Sequence, residues 1–409
     1  MLIVDDSAGV AALCARMAKA EFVTVDTEFM RDRTYWPILC LVQLGGPDEA
    51  FAIDATAPGL DLQPVEALMA NERVLKVFHA ARQDIEIFFH RSGVIPTPLF
   101  DTQVAAMVCG YGEQVSYETL AGQIAGARLD KSMRFTDWSV RPLTQRQVDY
   151  AIADVVHLRA VYSVLAVRLQ NTGRTHWLAE EVAILTDPAT YRLEPAESWR
   201  RLKPRGGTPR FFAILRELAA WREIEAQRRD VPRNRVLRDD VLLDIAAHAP
   251  TSGADLGRSR GLAQGMAEGR AGQDIVAAVM RGRSVPEADL PIPEPIVDLP
   301  RGAGPLIDLL KVLLKLKCER HDVAQKLVAS SADLERIAIS DDAPVPALHG
   351  WRREVFGEDA LAVKHGRLAL GVIGKRLRLV PIGGGTAEKP TAGGQLGSVA
   401  PPIGLSVET

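Results

Sequence analysis

Residues 21–30 read Glu21-Phe22-Val23-Thr24-Val25-Asp26-Thr27-Glu28-Phe29-Met30, and the fold turns on how this stretch is read. β-branched and aromatic residues dominate it, which predicts a strand. Two acids interrupt the apolar run two positions apart. Side chains at i and i+2 of a strand share a face, so Asp26 and Glu28 project together. Burying like charges side by side is unfavourable unless a cation neutralises them. An exposed acidic strand is the plain alternative, but Phe22, Val23, Val25 and Phe29 argue against it. The stretch predicts a strand that carries a divalent-metal site.

Working outward, 37–45 and 50–54 read as two further strands, broken by the turn residues Gly45-Gly46-Pro47-Asp48. Their short connections predict an antiparallel meander. A helix near 63–70, the apolar run Val74-Leu75-Lys76-Val77-Phe78, a helix near 81–92 and a strand near 98–101 follow. This alternation adds parallel strands, so the sheet is mixed and the domain α/β. Beyond about 103 the pattern is helical.

The chain has 409 residues, enough for two or three domains. Composition is that of an ordinary globular protein, with 47% hydrophobic and 25% charged residues, which excludes a disordered or collagenous chain. No apolar stretch is expected to reach the roughly 18 residues of a spanning helix, and the acidic start Met1-Leu-Ile-Val-Asp5-Asp6 is unlike a signal peptide. Four scattered cysteines without a CxxC pair predict reduced core thiols. Together these predict a cytoplasmic protein.

Charge divides the chain. Residues 1–199 carry −9, residues 200–283 carry +7 and residues 284–409 carry −1. A basic block is what a polyanionic partner needs, although Arg-rich solvated helix faces give the same count. The expected domains are 1–203 (α/β), 208–283 (helical), a Pro-rich linker over 284–304, a second helical segment over 305–380, and a disordered tail over 383–409.

Two further motifs carry chemistry. Thr144-Gln145-Arg146-Gln147 reads as a capping box, so a helix starts there. It places Tyr150 and Asp154 at i and i+4 on one face. His79-Ala80-Ala81-Arg82-Gln83-Asp84 follows a strand and opens a helix, which puts Asp84 at the carboxyl end of a sheet strand, where open α/β folds bind ligands. Asp101 reads as a helix cap. Four acids and a tyrosine on three elements suit two-metal phosphodiester hydrolysis, and carboxylates suit Mg²⁺ or Mn²⁺.

Asp26-Thr-Glu28 in a strand, Asp84 in a helix and Tyr150-x-x-x-Asp154 resemble the three motifs of the DEDD exonucleases, in the tyrosine-bearing branch. Asp26–Pro37, His79–Asp84, Phe100–Gln103 and Leu129–Pro142 are similar to the bacterial ribonuclease D family. The segment from Thr208 to about 283 resembles the HRDC domain, and 305–380 a divergent second copy. The resemblance implies an RNase H-like fold and 3′→5′ exoribonuclease activity on tRNA precursors and other small structured RNAs, releasing 5′-nucleotides. It makes Asp26, Glu28, Asp84 and Asp154 the ligands of two divalent ions, probed first as Mg²⁺. Tyr150 would orient the attacking water.

Thr27, Phe29, His79, Gln83 and Lys131 are the candidates for RNA contact near the acids, with Arg31, Arg33 and Arg134 facing phosphates. Tyr35 and Trp36 read as base-stacking or core residues. In the basic block Arg228, Arg229, Arg233, Arg235 and Arg238 are the candidates for backbone contact, and that block is expected to be dispensable for cutting short oligonucleotides. A DNA substrate keeps the same chemistry, but no GxxxxGK[ST] motif accompanies it. A silent RNA-binding module conflicts with an intact acid set. The expected state is a monomer.

Overall fold

The computed structural model describes residues 2–129, 131–204, 206–291 and 299–382. The side chain of Lys131, the middle of the linker and the tail from 383 lie outside the described residues.

The first unit begins with β1 (Ile3–Val4), α1 (Ser7–Met17), β2 (Phe22–Met30), β3 (Ile38–Gly45), β4 (Ala50–Asp54), α2 (Gln63–Met69), β5 (Leu75–Phe78), α3 (Arg82–Ser92) and β6 (Leu99–Asp101). The strands form one sheet in the order β1-β4-β3-β2-β5-β6. β2–β3 and β3–β4 pair antiparallel, whereas β5 and β6 join in parallel. The mixed α/β sheet is therefore the one the alternation predicts. The short β1, parallel to β4, is additional; two residues carry too little periodicity to be read from sequence.

Helices α4 (Thr102–Val108), α5 (Tyr117–Ala125), α6 (Gln145–Thr172) and α7 (Thr175–Thr186) follow. The capping box at Thr144 and Gln147 starts α6. By length and composition α6 could cross a membrane, contrary to the expectation that no stretch is long enough. Its buried stripe of Ala151, Val155, Leu158, Val161 and Leu165 packs on β2, β3 and β4, as a core helix does. Gly45 makes that packing possible: a Cβ there would run into the Thr24 hydroxyl and press on the Val155 carbonyl at 3.1 Å. The Thr24 hydroxyl donates to the same carbonyl at 2.8 Å.

A helical bundle completes this unit: α8 (Pro209–Arg229), α9 (Arg233–Val236), α10 (Asp239–His248), α11 (Gly253–Leu256), α12 (Gln264–Glu268) and α13 (Arg270–Ser284). Phe212, Trp221 and their neighbours are core or packed on it, and Trp199 and Leu202 join that core. The bundle's first helix is capped by Thr208, and its core also draws on Trp199 and Leu202 from before the expected boundary at 203. Apolar residues that close a neighbour's core look, in sequence, like the end of their own domain.

The bundle is stitched to the loop between β2 and β3. The Tyr35 hydroxyl donates to the buried Glu223 carboxylate and accepts from Gln227 Nε2 at 3.1 Å and Arg233 Nη2 at 3.0 Å. Asp230, in the left-handed cap of α8, accepts from the Tyr35 and Trp36 amides at 3.0 Å each. Trp36 stacks on His90, centroids 3.5 Å apart. Neither aromatic is free to stack on a base.

The second unit holds helices at Ala303–His321 and Ser331–Ile339, a π turn at Arg353–Gly357 continued by a helix at Glu358–Lys364, and a hairpin of Leu368–Ile373 with Arg376–Pro381. The hairpin corrects the all-helical expectation for 305–380. Gly374, at φ +57, supplies the turn conformation that hairpins require.

Candidate active site

Asp26 and Glu28 leave β2 on the face covered by α6. The β2–β3 register shifts between Glu28 and Phe29, with Cys40 as the extra residue, and such bulges re-aim side chains beside functional sites. From α6, Asp154 reaches the same point: ligand oxygens of Asp26, Glu28 and Asp154 all lie within 4.8 Å of one another. Asp84 comes from the first turn of α3 and is 7% exposed.

The turn that delivers Asp84 is unusual. Ala80 has φ +59, a conformation that a residue with a Cβ adopts at a cost. Asp101 holds it there, accepting from the Ala80 amide at 3.0 Å and the Ala81 amide at 2.9 Å. The same carboxylate caps α4 through Gln103 N, as its sequence position predicts. Thr27, buried between the two strand acids, donates its hydroxyl to Asp84. His79 is held from both sides, Nδ1 by the Thr102 hydroxyl at 3.0 Å and Nε2 by the Val115 carbonyl at 3.2 Å.

All four carboxyls are pushed up. Burial raises Asp26 to about 7. Burial, then the charges of Asp26, Asp154 and Asp84, raise Glu28 to about 10, with Arg134 pulling the other way. Burial, then the Asp26 charge, raise Asp84 and Asp154 as well. Four acids so placed bind protons or cations, since desolvation and mutual repulsion both oppose bare charge. An all-oxygen set of this kind fits a hard divalent ion. Tyr150 hydrogen-bonds Asp154, and burial with the neighbouring acids raises its phenol above the ordinary value.

The acids open into a cleft of about 950 Å³, lined also by Thr27, Phe29, His79, Gln83 and Arg134. Arg228, Arg229, Arg233 and Arg235 lie outside it. Arg228 and Arg229 face Glu225, Arg238 pairs with Asp240 and Arg233 grips Glu223. Sequence reasoning missed Phe135 at the cleft, 90% exposed, and Tyr117, whose hydroxyl donates to the Ala153 carbonyl at 2.9 Å. It also missed Glu118, whose charge acts on Asp154. An exposed phenylalanine has no sequence mark that sets it apart from a core one.

Known proteins share this arrangement. A 3′-5′ exonuclease domain family matches residues 1–170, and the HRDC domain family matches residues 211–279. Ribonuclease D of Granulibacter bethesdensis is 53% identical over 382 residues, 93% of this chain and 97% of that one. Ribonuclease D of Nitrobacter hamburgensis is 53% identical over 91% of this chain and 97% of that one. The crystal structure of Escherichia coli RNase D, an exoribonuclease involved in structured RNA processing, superposes with a TM-score of 0.77 at 28% identity, covering 89% of this chain and 98% of that one. The catalytic core of RRP6 from Trypanosoma brucei shares the fold, with a TM-score of 0.53 at 22% identity. An exonuclease sheet with its acid cluster, followed by an HRDC bundle and matched over more than nine-tenths of the chain by such relatives, places the chain in the ribonuclease D family of 3′→5′ exoribonucleases.

Proposed function

We propose that Asp26, Glu28, Asp84 and Asp154 hold two divalent ions, Mg²⁺ in the first place, and that the chain trims the 3′ ends of tRNA precursors and other small structured RNAs, as a monomer in the cytoplasm. The observation that carries this is the convergence of four desolvated carboxyls from β2, α3 and α6 on one open cleft. When bound, the ions would supply water acidification and charge stabilisation at the leaving 3′ oxygen.

The chain's own residues do the rest. Tyr150 keeps its proton at neutral pH, because its surroundings push the phenol above the ordinary value of about 10. It therefore orients water through a hydroxyl rather than acting as a base. Thr27 fixes Asp84, and Asp101 fixes the turn before it. Arg134 lines the cleft and its charge acts on Glu28, so it would meet a phosphate of the substrate there. Phe135, with the Arg134 guanidinium 5.4 Å from its ring, offers a platform for the terminal base. Gln83 and Phe29 line the path, and Lys131 belongs to the same loop in sequence. We assign the second unit to a divergent HRDC-like domain, on the strength of its long opening helix, with the terminal hairpin as its own addition.

The test is product sizing on a 5′-labelled tRNA precursor with a short 3′ extension, with single-stranded DNA competing. The reading expects a Mg²⁺-dependent ladder that shortens the RNA and largely spares the DNA. Preferential shortening of DNA, or RNA binding without shortening, would overturn it.

A further inference from the structure

A second cavity, of about 320 Å³, lies at the seam between the β2–β3 loop and the helical bundle. Arg31 and Thr34 line both this cavity and the acid cleft, so the loop is a shared wall. Arg31, Arg201, Arg222 and Arg233 line the seam cavity against one carboxylate, Asp239. Glu86 pairs with Arg31, Glu223 with Arg233 and Asp239 with Arg222 at 2.6 Å. Of the four guanidiniums only Arg201 is exposed; its charge acts on Glu223, and no salt bridge ties it among the described residues.

Arg222 is 4% exposed, and its Nη1 is held by the Leu237 carbonyl and Asp239, which fixes the guanidinium at the cavity wall. The guanidinium fork suits phosphate oxygens. A strand leaving the acid cleft over the shared wall would bring a phosphate to this place.

We propose that the seam cavity binds a backbone phosphate of the RNA strand whose 3′ end lies in the acid cleft, upstream of the nucleotide being removed. The inference rests on the exoribonuclease reading above. It makes the junction of the two domains, and not only the bundle's outer surface, a part of the substrate path. A strand too short to reach past Thr34 gains nothing from it.

The experiment uses the full chain and 5′-labelled oligoadenylates, a dinucleotide and an octanucleotide. Binding is followed by fluorescence anisotropy with Ca²⁺ in place of Mg²⁺. Arg201→Gln removes the exposed charge without touching a core, and Ser198→Glu adds a repelling one at the rim. Both variants are expected to lower the preference for the octanucleotide over the dinucleotide, by about fivefold for Arg201→Gln and by more for Ser198→Glu. The salt dependence of octanucleotide binding should become shallower by about 0.7 in log–log slope for Arg201→Gln. An unchanged preference and slope in both variants overturns the proposal. So does weakened binding of inorganic phosphate, by titration calorimetry, with the octanucleotide preference intact; that result assigns the cavity to a free anion. Failure of the exoribonuclease reading shows separately, as wild-type protein that shortens neither oligomer in Mg²⁺.

Discussion

The acid cleft and the domain seam both bury charge, and they do so in opposite ways. At the seam the one buried carboxylate among the described residues, Glu223, meets Arg233 and the Tyr35 hydroxyl, and these partners hold its pKa below the ordinary value despite burial. In the cleft four carboxylates meet mainly one another, and all are pushed up. Paired buried charge fixes structure at a tolerable cost, whereas unpaired buried charge is a cost the fold accepts for another purpose.

The largest expected effect breaks the site half of this comparison. Asp84→Asn should cut the exonuclease rate about a thousandfold or more, the scale of several kcal/mol of lost charge stabilisation, with the circular dichroism spectrum unchanged. Near-normal turnover would remove Asp84 from the ligand set. Next comes the joint. Deleting residues from 205 onward removes Glu223, Asp230 and Arg233 from the β2–β3 loop, which also lines the cleft. Even a dinucleotide should then be cut more slowly, by up to about a hundredfold. This departs from the sequence-based expectation that the basic block is dispensable for short substrates, and unimpaired dinucleotide cleavage would restore that expectation. Tyr150→Phe should cost about tenfold, less than loss of a ligand, because only water orientation is removed. Equal losses would give the phenol a larger part.

The smallest effect is on stability. In metal-free protein the folded pKa of Asp26 is about 7 against an ordinary 3.8, so the folded state keeps a proton that the unfolded chain releases. Stability from this group is therefore greatest below about pH 4 and declines up to about pH 7. Glu28, raised from 4.5 to about 10, extends the decline to higher pH. Mg²⁺ should accordingly raise the melting temperature more at pH 8 than at pH 5. An equal rise at both would mean that the ion does not relieve these acids.

Much of this was legible in sequence where a pattern is local. The period-2 run of β2, the capping box before α6 and the i, i+4 spacing of Tyr150 and Asp154 each need only a few neighbouring residues, and the structure brings those acids together. What escaped depends on distant partners. Tyr35 and Trp36 have the composition of a base-stacking pair, yet Asp230 and Glu223, almost two hundred residues away, decide that they are a joint. Arg233 reads as one arginine of a basic cluster, and only the fold shows it committed to Glu223. The exposure of Phe135 and the terminal hairpin were hidden for the same reason. Sequence shows which residues are acidic or aromatic, and packing decides which of them meet solvent.

The most direct measurement is thermal unfolding of metal-free Asp26→Asn and Glu223→Gln beside the wild type at pH 8. Removing one of several repelling carboxylates should raise the melting temperature, while exonuclease activity in Mg²⁺ is lost. Removing the anion from a paired seam should lower the melting temperature, by about 3 kcal/mol of stability. Opposite signs are the predicted result. A fall in both variants would contradict the account, because the cleft carboxylates would then be held by partners of their own, as the seam's are.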